Sequence, residues 1–236
     1  MDFFRIGFII ADKDELKSID FTGLGIFPKT MEYHGMEKVE FFLPTQNSQI
    51  CVDIVLCGIG LACAASAASY LAADNYNIII NAGLSGSISK LCKDDIFICE
   101  KIAEHDADLT SIGFKPGERP GLPVFFNCDK RLVEFFKNAI KNSKCGISAS
   151  GNEFIASYEK KEYIKNNFGA LCCDMEASAI ALVCSRENIP FVSVRKISDS
   201  ADDAASDDYK NYDINNTSSL FDIVINALRV FPVSEF

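Results

Sequence analysis

The stretch from residue 172 to residue 203 limits the possible folds more than any other part of the chain. After Asp174, apolar side chains recur at helix spacing; they are Ala179, Ile180, Val183 and Cys184. Pro190 ends this helix, and residues 191–194 have the apolar character of a buried strand. A helix that passes directly into a buried strand is typical of a sheet covered by helices, so we predict the α/β class.

The strand in this stretch carries Arg195, Ser198 and Asp199 to its C-terminal end. We expect Asp199 and Glu176 at adjacent strand ends of one α/β unit, where open α/β sheets bind their ligands. Glu176 begins the apolar stripe of the helix, and an unpaired carboxylate is costly in such a position. Two interpretations stay open: a solvated acid that favours the helix dipole, or an acid that binds a ligand.

Further strands and helices are indicated along the rest of the chain. Buried strands are predicted at residues 4–10, 52–57, 78–80, 95–99 and 146–150, with a hairpin-like pair within 21–50. Helices are predicted after Asp12 and at residues 61–74, 130–141, 158–168 and 220–230. Loops are expected at residues 81–87, which are rich in glycine, and at the acidic residues 199–208. Because the 236 residues contain no repeat or linker, we expect a single domain, residues 1–236.

Charge and cysteine content argue against several partners and sites. The formal net charge of -10 disfavours nucleic acid as a partner, since phosphate contacts need a basic face. The ten cysteines form no C-x-x-C pair and lie mostly in apolar runs, which favours reduced thiols in a cytoplasmic protein. The apolar run at residues 6–11 is too short for a signal peptide, and no segment has transmembrane length, so we expect no membrane association.

Several catalytic classes lack their motifs here. Gly58 and Gly60 follow a strand as in a dinucleotide fingerprint, but Cys63 occupies the third glycine position. The chain has neither a P-loop nor a G-x-S-x-G serine elbow. The His-Asp-Ala-Asp segment at residues 105–108 lacks matched metal ligands, because the chain has only two histidines. The acidic residues near the C-terminus lack calcium-loop spacing, so we predict no metal and no other cofactor.

Three carboxylates at predicted strand ends remain: Glu15, Glu176 and Asp199. Paired carboxylic acids suit the cleavage of glycosidic bonds, where one acid protonates the leaving group and another activates water. Burial can raise the pKa of such an acid until it donates a proton near neutral pH, and this help is worth roughly 10²–10⁴-fold.

Seven segments in order resemble the 5′-methylthioadenosine/S-adenosylhomocysteine nucleosidases, within the nucleoside phosphorylase superfamily. They are residues 6–16, 57–60, 78–86, 105–114, 150–155, 174–184 and 190–202. The resemblance implies a three-layer αβα fold with a central, mixed and twisted sheet. It also implies a homodimer that binds a small nucleoside and hydrolyses the adenine N-glycosidic bond.

The resemblance also implies a role for each matched residue. Glu15 matches the acid that activates water, Glu176 the acid that holds the ribose hydroxyls, and Asp199 the acid that supports protonation of adenine N7. Phe154 matches the ring that stacks on adenine, Ile155 a backbone contact to it, and Met175 the side chain under the ribose. The remaining matches to substrate-binding positions are Gly86, Ser198 and, near the water, Arg195. Leu109, Ile112 and Pro120 match residues that reach the 5′-substituent pocket of the neighbouring subunit.

Phosphorolysis is the alternative reaction, and a nucleoside-binding protein without activity is the alternative class. Hexameric phosphorylases carry Arg where this chain has Asn81, and a Gly-Asp-Pro phosphate loop where it has residues 11–13, so we expect water as the nucleophile. Leu84, Asn152 and Ile112 depart from the family pattern, which puts the preferred 5′-substituent in question. A dehydrogenase is disfavoured by Cys63.

Overall fold

The computed structural model describes residues 4–45, 48–213 and 219–236, and these form ten strands and seven α-helices. The strands are β1 Phe4–Ile10, β2 Lys29–Tyr33, β3 Met36–Pro44, β4 Gln49–Leu56, β5 Ile78–Ser87, β6 Ile96–Glu104, β7 Phe125–Asn127, β8 Lys144–Ser150, β9 Cys172–Asp174 and β10 Phe191–Asp199. The helices are α1 Lys13–Lys17, α2 Leu61–Ala73, α3 Lys130–Ala139, α4 Tyr158–Phe168, α5 Ala177–Glu187, α6 Ala205–Lys210 and α7 Leu220–Leu228. Two 3-10 turns lie at Thr110–Ile112 and Val233–Glu235.

All ten strands belong to one mixed sheet, and helices flank it. β1 lies between β4 and β5 and is parallel to both, while the β2–β3 hairpin extends the sheet beyond β4. β5 pairs with β10 in parallel and with β9 in antiparallel orientation. Since β10 pairs with β6, β6 with β8 and β8 with β9, these strands close a ring. The predicted mixed α/β architecture is therefore confirmed.

The core explains why the central strands have no polar face. In β1, Ile6, Phe8, Ile9 and Ile10 are all fully buried, and the start of β5 is equally apolar. Helices cover both faces of parallel strands, so such strands appear in sequence as continuous apolar runs. The strand at Phe4–Ile10 and the helix at Tyr158–Phe168 have the predicted bounds.

Within the described residues, no helix combines the length and apolar character that crossing a membrane requires.

Three predictions about local structure are wrong. The glycine-rich loop at residues 81–87 is the second half of β5, whose backbone pairs with β10 from Ile79 to Gly86. The strand predicted at residues 191–194 continues to Asp199, and part of the acidic loop is α6. Small and polar residues suggested loops, but in a buried sheet the backbone pairing stabilises them as strand.

The prediction that Glu176 and Asp199 lie at adjacent strand ends is also wrong. Glu176 follows β9 and Asp199 ends β10, and β5 lies between these two strands.

Candidate active site

Glu15 is a buried carboxylate in the first turn of α1, where it also completes a capping box with Asp12. Its Oε2 accepts a hydrogen bond from the Asp12 N–H at 3.2 Å. Its Oε1 accepts one from the Leu84 N–H at 2.8 Å. Glu15 therefore stabilises the start of α1 and also lies at the edge of the sheet where a ligand is expected.

The surroundings of Glu15 favour its protonated form. Burial raises the pKa of Glu15 to about 7, and the negative charge of Glu176 adds to that rise. The N–H donors of Leu84 and Asp12, together with the charge of Arg195, hold the pKa lower than burial alone would. A carboxyl group that titrates near neutral pH can exchange a proton with water or substrate under ordinary conditions.

Glu176 is the N-cap residue of α5, although its side chain makes no capping hydrogen bond, and the residue is only 6% exposed. Its Oε1 accepts a hydrogen bond from the Gly60 N–H at 3.0 Å, and Oε2 lies 4.0 Å from the Arg195 guanidinium. Burial raises the pKa of Glu176, while Arg195 opposes the rise. The solvated interpretation of Glu176 is therefore wrong. The Gly58-x-Gly60 turn, which resembles a dinucleotide motif, binds this carboxylate instead.

Asp174 precedes the N-cap position of α5 and binds the first N–H groups there, and the sequence reasoning missed it. Its Oδ1 accepts hydrogen bonds from the N–H groups of Glu176 at 2.9 Å and Ala177 at 2.8 Å. Arg195 lies 3.2 Å from the same oxygen. An Asp directly before an apolar helical pattern is an N-cap signal, so the sequence did contain a clue. Asp174 therefore sets the position of Glu176 through the backbone.

Arg195 is almost completely buried beneath the carboxylates. Its Nε donates to the Ser193 hydroxyl at 2.9 Å, and its Nη2 donates to the Asn81 amide oxygen. A Cβ atom at Gly83 would lie 2.9 Å from both Arg195 Nη1 and Glu15 Oε1, so only glycine leaves room for both groups. Asn81 therefore orients Arg195 from within the sheet, where it is itself buried.

Asp199 ends β10 with both carboxylate oxygens hydrogen-bonded. Oδ2 accepts from the Ser198 hydroxyl at 2.7 Å, and Oδ1 accepts from the Ala201 N–H at 2.9 Å. Burial raises the pKa of Asp199, and these two donors oppose the rise. The carboxyl group is therefore oriented and able to hold a proton more readily than a solvated Asp.

Two cavities adjoin these groups. The inner cavity, about 60 Å³, is lined by Leu84, Ser85, Gly86, Glu153, Phe154, Ile155, Cys173, Asp174, Met175, Ser198, Asp199 and Tyr209. The outer cavity, about 300 Å³, is lined by Asp12, Asp14, Glu15, Leu84, Tyr209, Lys210 and Tyr212. Leu84 and Tyr209 line both, so the two cavities are contiguous. A larger cavity of about 640 Å³ between α3 and residues 230–236 contains none of the predicted site residues.

Tyr209 is a second residue that the sequence reasoning missed. It belongs to α6, and its ring meets the Phe154 ring edge-on at a centroid distance of 5.5 Å. An aromatic side chain among five acids was the available signal, but the stretch was predicted as a solvated loop. The inner cavity has room for only a few waters, and Tyr209 lines it beside Phe154.

The structure brings together most of the predicted site residues. Glu176 and Arg195 line neither cavity but adjoin Glu15, whereas Leu109, Ile112 and Pro120 are the exceptions, since they line neither cavity and contact none of the three carboxylates in the described structure. Ile112 is 70% exposed on the 3-10 turn, which is unusual for a large apolar side chain. Their predicted role in a neighbouring subunit stays a prediction.

One group of side chains in the described part of the chain has metal-ligand spacing. Ligand atoms of Glu40, Cys51 and Asp53 lie within 4.8 Å of one another. The Lys38 ammonium lies 3.5 Å from Asp53 and 3.9 Å from Glu40, and Arg5 pairs with Asp53 at 3.1 Å. Two protein cations therefore balance this cluster, and they disfavour a metal ion there.

Comparison with known proteins places the chain in a family. Residues 5–229 match the model of the phosphorylase superfamily. A 5′-methylthioadenosine/S-adenosylhomocysteine nucleosidase of Oceanobacillus iheyensis is 34% identical over 75% of this chain and 81% of its own length. The chain belongs to this nucleosidase family. The corresponding protein of Staphylococcus saprophyticus is 40% identical, but that alignment spans only 53% of this chain and 58% of the relative.

Solved structures agree with this assignment. An S-adenosylhomocysteine nucleosidase of Streptococcus pyogenes, in complex with 5-methylthiotubericidin, has a TM-score of 0.87 at 25% identity and covers 98% of this chain and 99% of its own. The S. pneumoniae nucleosidase with a transition-state inhibitor has a TM-score of 0.84 at 26% identity, over 96% and 99% of the two chains.

Asn152, which departs from the family pattern, has a structural role in this family member. Its Oδ1 accepts a hydrogen bond from the Leu61 N–H at 2.9 Å, and its own N–H donates to Asp106 at 2.7 Å. The following residue, Glu153, pairs with Lys160. Both side chains beside Phe154 are therefore engaged with the protein, and neither alters the three buried carboxylates.

We predict that Asp174→Asn lowers the free energy of unfolding by about 3–5 kcal/mol, because it removes the buried carboxylate that balances Arg195. Urea unfolding at neutral pH measures the change. Asp14→Asn is the control, since Asp14 pairs with Lys17 on the exposed surface and its loss should leave the midpoint unchanged. Equal unfolding midpoints for Asp174→Asn and the wild type would contradict the role of Asp174.

Proposed function

We propose that the chain hydrolyses the N-glycosidic bond of 5′-methylthioadenosine, S-adenosylhomocysteine and related 5′-substituted adenosines. The products are adenine and the 5′-substituted ribose. The observation that carries the proposal is the set of three buried carboxylates with raised pKa values: Glu15 and Asp199 line adjacent cavities, and Glu176 lies close enough to Glu15 for its charge to raise the pKa of Glu15. Membership of the nucleosidase family supports the choice of substrate.

The three acids divide the reaction between them. Asp199 supports protonation of adenine N7, so that the C1′–N9 bond breaks and its electron pair leaves with a neutral base. Glu176 accepts hydrogen bonds from the ribose hydroxyls and stabilises the positive charge that develops on the sugar. Glu15 takes a proton from water as the water oxygen bonds to C1′, and its pKa of about 7 suits this step.

The inner cavity is the proposed place for the base. Phe154 stacks on adenine, the backbone of Ile155 contacts it, and Met175 packs below the ribose. The three residues line one cavity together with Asp199, which supports this arrangement. Tyr209 and α6 move aside when substrate binds and cover it afterwards.

Water is favoured over phosphate as the nucleophile by the charges around Glu15. Among the described residues that line the two cavities, Lys210 is the only cation. Arg195 lies close to Glu15, but its guanidinium is already bound to Asp174, Asn81 and Ser193. A phosphate dianion needs several cationic or N–H donors, and the chain offers it mainly carboxylates. The ten cysteines, all free, are consistent with action in the cytoplasm.

We expect the purified protein to release adenine from 5′-methylthioadenosine at the same rate with and without phosphate, because water is the nucleophile. Chromatography of the products measures adenine and the sugar, and Glu15→Gln serves as the inactive control. Formation of a ribose 1-phosphate that depends on phosphate would establish the phosphorylase alternative. Tight adenine binding without turnover would establish the nucleoside-binding alternative.

We predict that kcat/KM decreases as the pH falls below about 7, because protonated Glu15 cannot accept the proton of water. Leu84→Ser admits more water to Glu15, which lessens the effect of burial and lowers its pKa. The acidic limb of the pH profile should therefore move to lower pH. Leu91→Ser is the matched control, since Leu91 is half-buried like Leu84 but lines neither cavity. Superimposable acidic limbs for Leu84→Ser and the wild type would rule out this role of burial.

We further propose a homodimer in which Leu109, Ile112 and Pro120 complete the 5′-pocket of the neighbouring subunit. The exposed Ile112 side chain supports this assignment, and so does the exposed small-residue face of α2, formed by Ala62, Cys63, Ser66 and Ser69. A homodimer buries such apolar surface.

We predict that Ile112→Asp lowers kcat/KM for 5′-methylthioadenosine and that co-expression with Glu15→Gln restores part of it. Mixed dimers contain one site with an intact Glu15 and an intact Ile112 from the partner chain. Light scattering should give twice the 26.0 kDa chain mass. If mixed dimers form but gain no activity over Ile112→Asp alone, Ile112 does not act across the interface.

A further inference from the structure

The turn that follows Asp199 has a strained backbone. Ala201 has a φ of +49°, in the left-handed region that non-glycine residues rarely adopt, and it is completely buried. The N–H of Ala201 donates to Asp199 Oδ1 at 2.9 Å. The orientation of the carboxyl group therefore depends on a backbone conformation that the surrounding structure must maintain.

Lys161 is a cation that contacts this turn directly. Its Nζ donates to the Ser200 carbonyl oxygen at 2.5 Å and lies 3.3 Å from Asp202 Oδ2. The side chain is only 17% exposed, so solvent screens these contacts less than at the open surface. The Ser200 hydroxyl also lies 2.8 Å from an Asp202 carboxylate oxygen and 3.2 Å from one of Asp208 in α6, and it can donate its proton to either. The ammonium group thus fixes the peptide that leads into Ala201.

Lys161 belongs to α4, whose N-cap Ser157 lies three residues after Phe154. Phe154 and Asp199 line the same inner cavity from different parts of the chain. Lys161 therefore connects α4, the helix that follows Phe154 in the chain, to the turn after Asp199. Ser200 in turn connects that turn to α6, which carries Tyr209.

We propose that Lys161 is a positioning residue that holds the Ser200–Ala201 turn so that Asp199 is aligned with the leaving base. This inference rests on the proposed function, in which Asp199 supports protonation of adenine. An ordinary ion pair would need only Asp202, whereas the contact with the Ser200 carbonyl connects Lys161 to the backbone that binds Asp199. Loss of the cation should therefore affect the chemical step more than the binding of the base.

The test compares Lys161→Met, Lys161→Arg and, as the matched control, Lys165→Met. Lys165 lies one turn further along α4 and pairs with Glu162 away from the site. With 5′-methylthioadenosine as substrate, Lys161→Met should lower kcat about 10- to 100-fold while KM changes far less, because misplacing a catalytic group affects mainly the reaction step. Lys161→Arg retains a cationic donor and should recover most of kcat, and Lys165→Met should match the wild type. Unchanged kcat in Lys161→Met, or an equal loss in Lys165→Met, would overturn the proposal.

A double-mutant cycle with Asp199→Asn separates positioning from general stabilisation. If Lys161 acts through Asp199, Lys161→Met should have little further effect on the residual kcat of Asp199→Asn. If the kcat of the double variant falls by the product of the two single losses, the proposal is overturned.

Thermal melting checks that each variant is folded. Lys161→Gln replaces Lys161→Met in both experiments if Lys161→Met does not melt cooperatively. A wild-type protein that releases no adenine would overturn the proposed function itself, whereas an active wild type with an unaffected Lys161→Met would overturn only the role of Lys161.

Discussion

The buried guanidinium of Arg195 is the interaction on which the site depends. A charge this far from solvent is tolerated only when ion pairs and hydrogen bonds compensate it. Asp174, Asn81 and Ser193 supply that compensation from three different strands of the sheet. Because Arg195 also lies near both Glu15 and Glu176, the requirement to balance one cation fixes the relative positions of β5, β9 and β10 beneath the carboxylates.

The same contacts that define the ends of the helices also orient the proposed catalytic groups. Glu15 completes the capping box of α1, and Asp174 accepts hydrogen bonds from the Glu176 and Ala177 N–H groups at the start of α5, which sets the position of Glu176. Gly60 begins α2, and its N–H binds the Glu176 carboxylate. Each acid accepts at least one hydrogen bond from a backbone N–H group, which fixes its orientation before substrate binds.

The sequence predicts the fold class and most elements because apolar runs such as Phe4–Ile10 permit only a buried strand. It also places the three carboxylates at the ends of strands, but their roles come from the family resemblance. The second half of β5 could not be predicted from composition, since backbone pairing with β10 outweighs the preference of glycine for loops. Tyr209 was missed because only the three-dimensional structure brings α6 over Phe154.

Leu84 and Tyr209 line both cavities, so they connect the proposed base pocket to the surroundings of Glu15. The Leu84 N–H also donates to Glu15, and burial raises the pKa of that carboxyl group to about 7. A movement of Tyr209 that admitted a purine in the proposed reaction would therefore also admit water to Glu15 and lower its pKa. Closure over a bound substrate would remove that water again, which would make the carboxylate of Glu15 a stronger proton acceptor for the proposed attack by water.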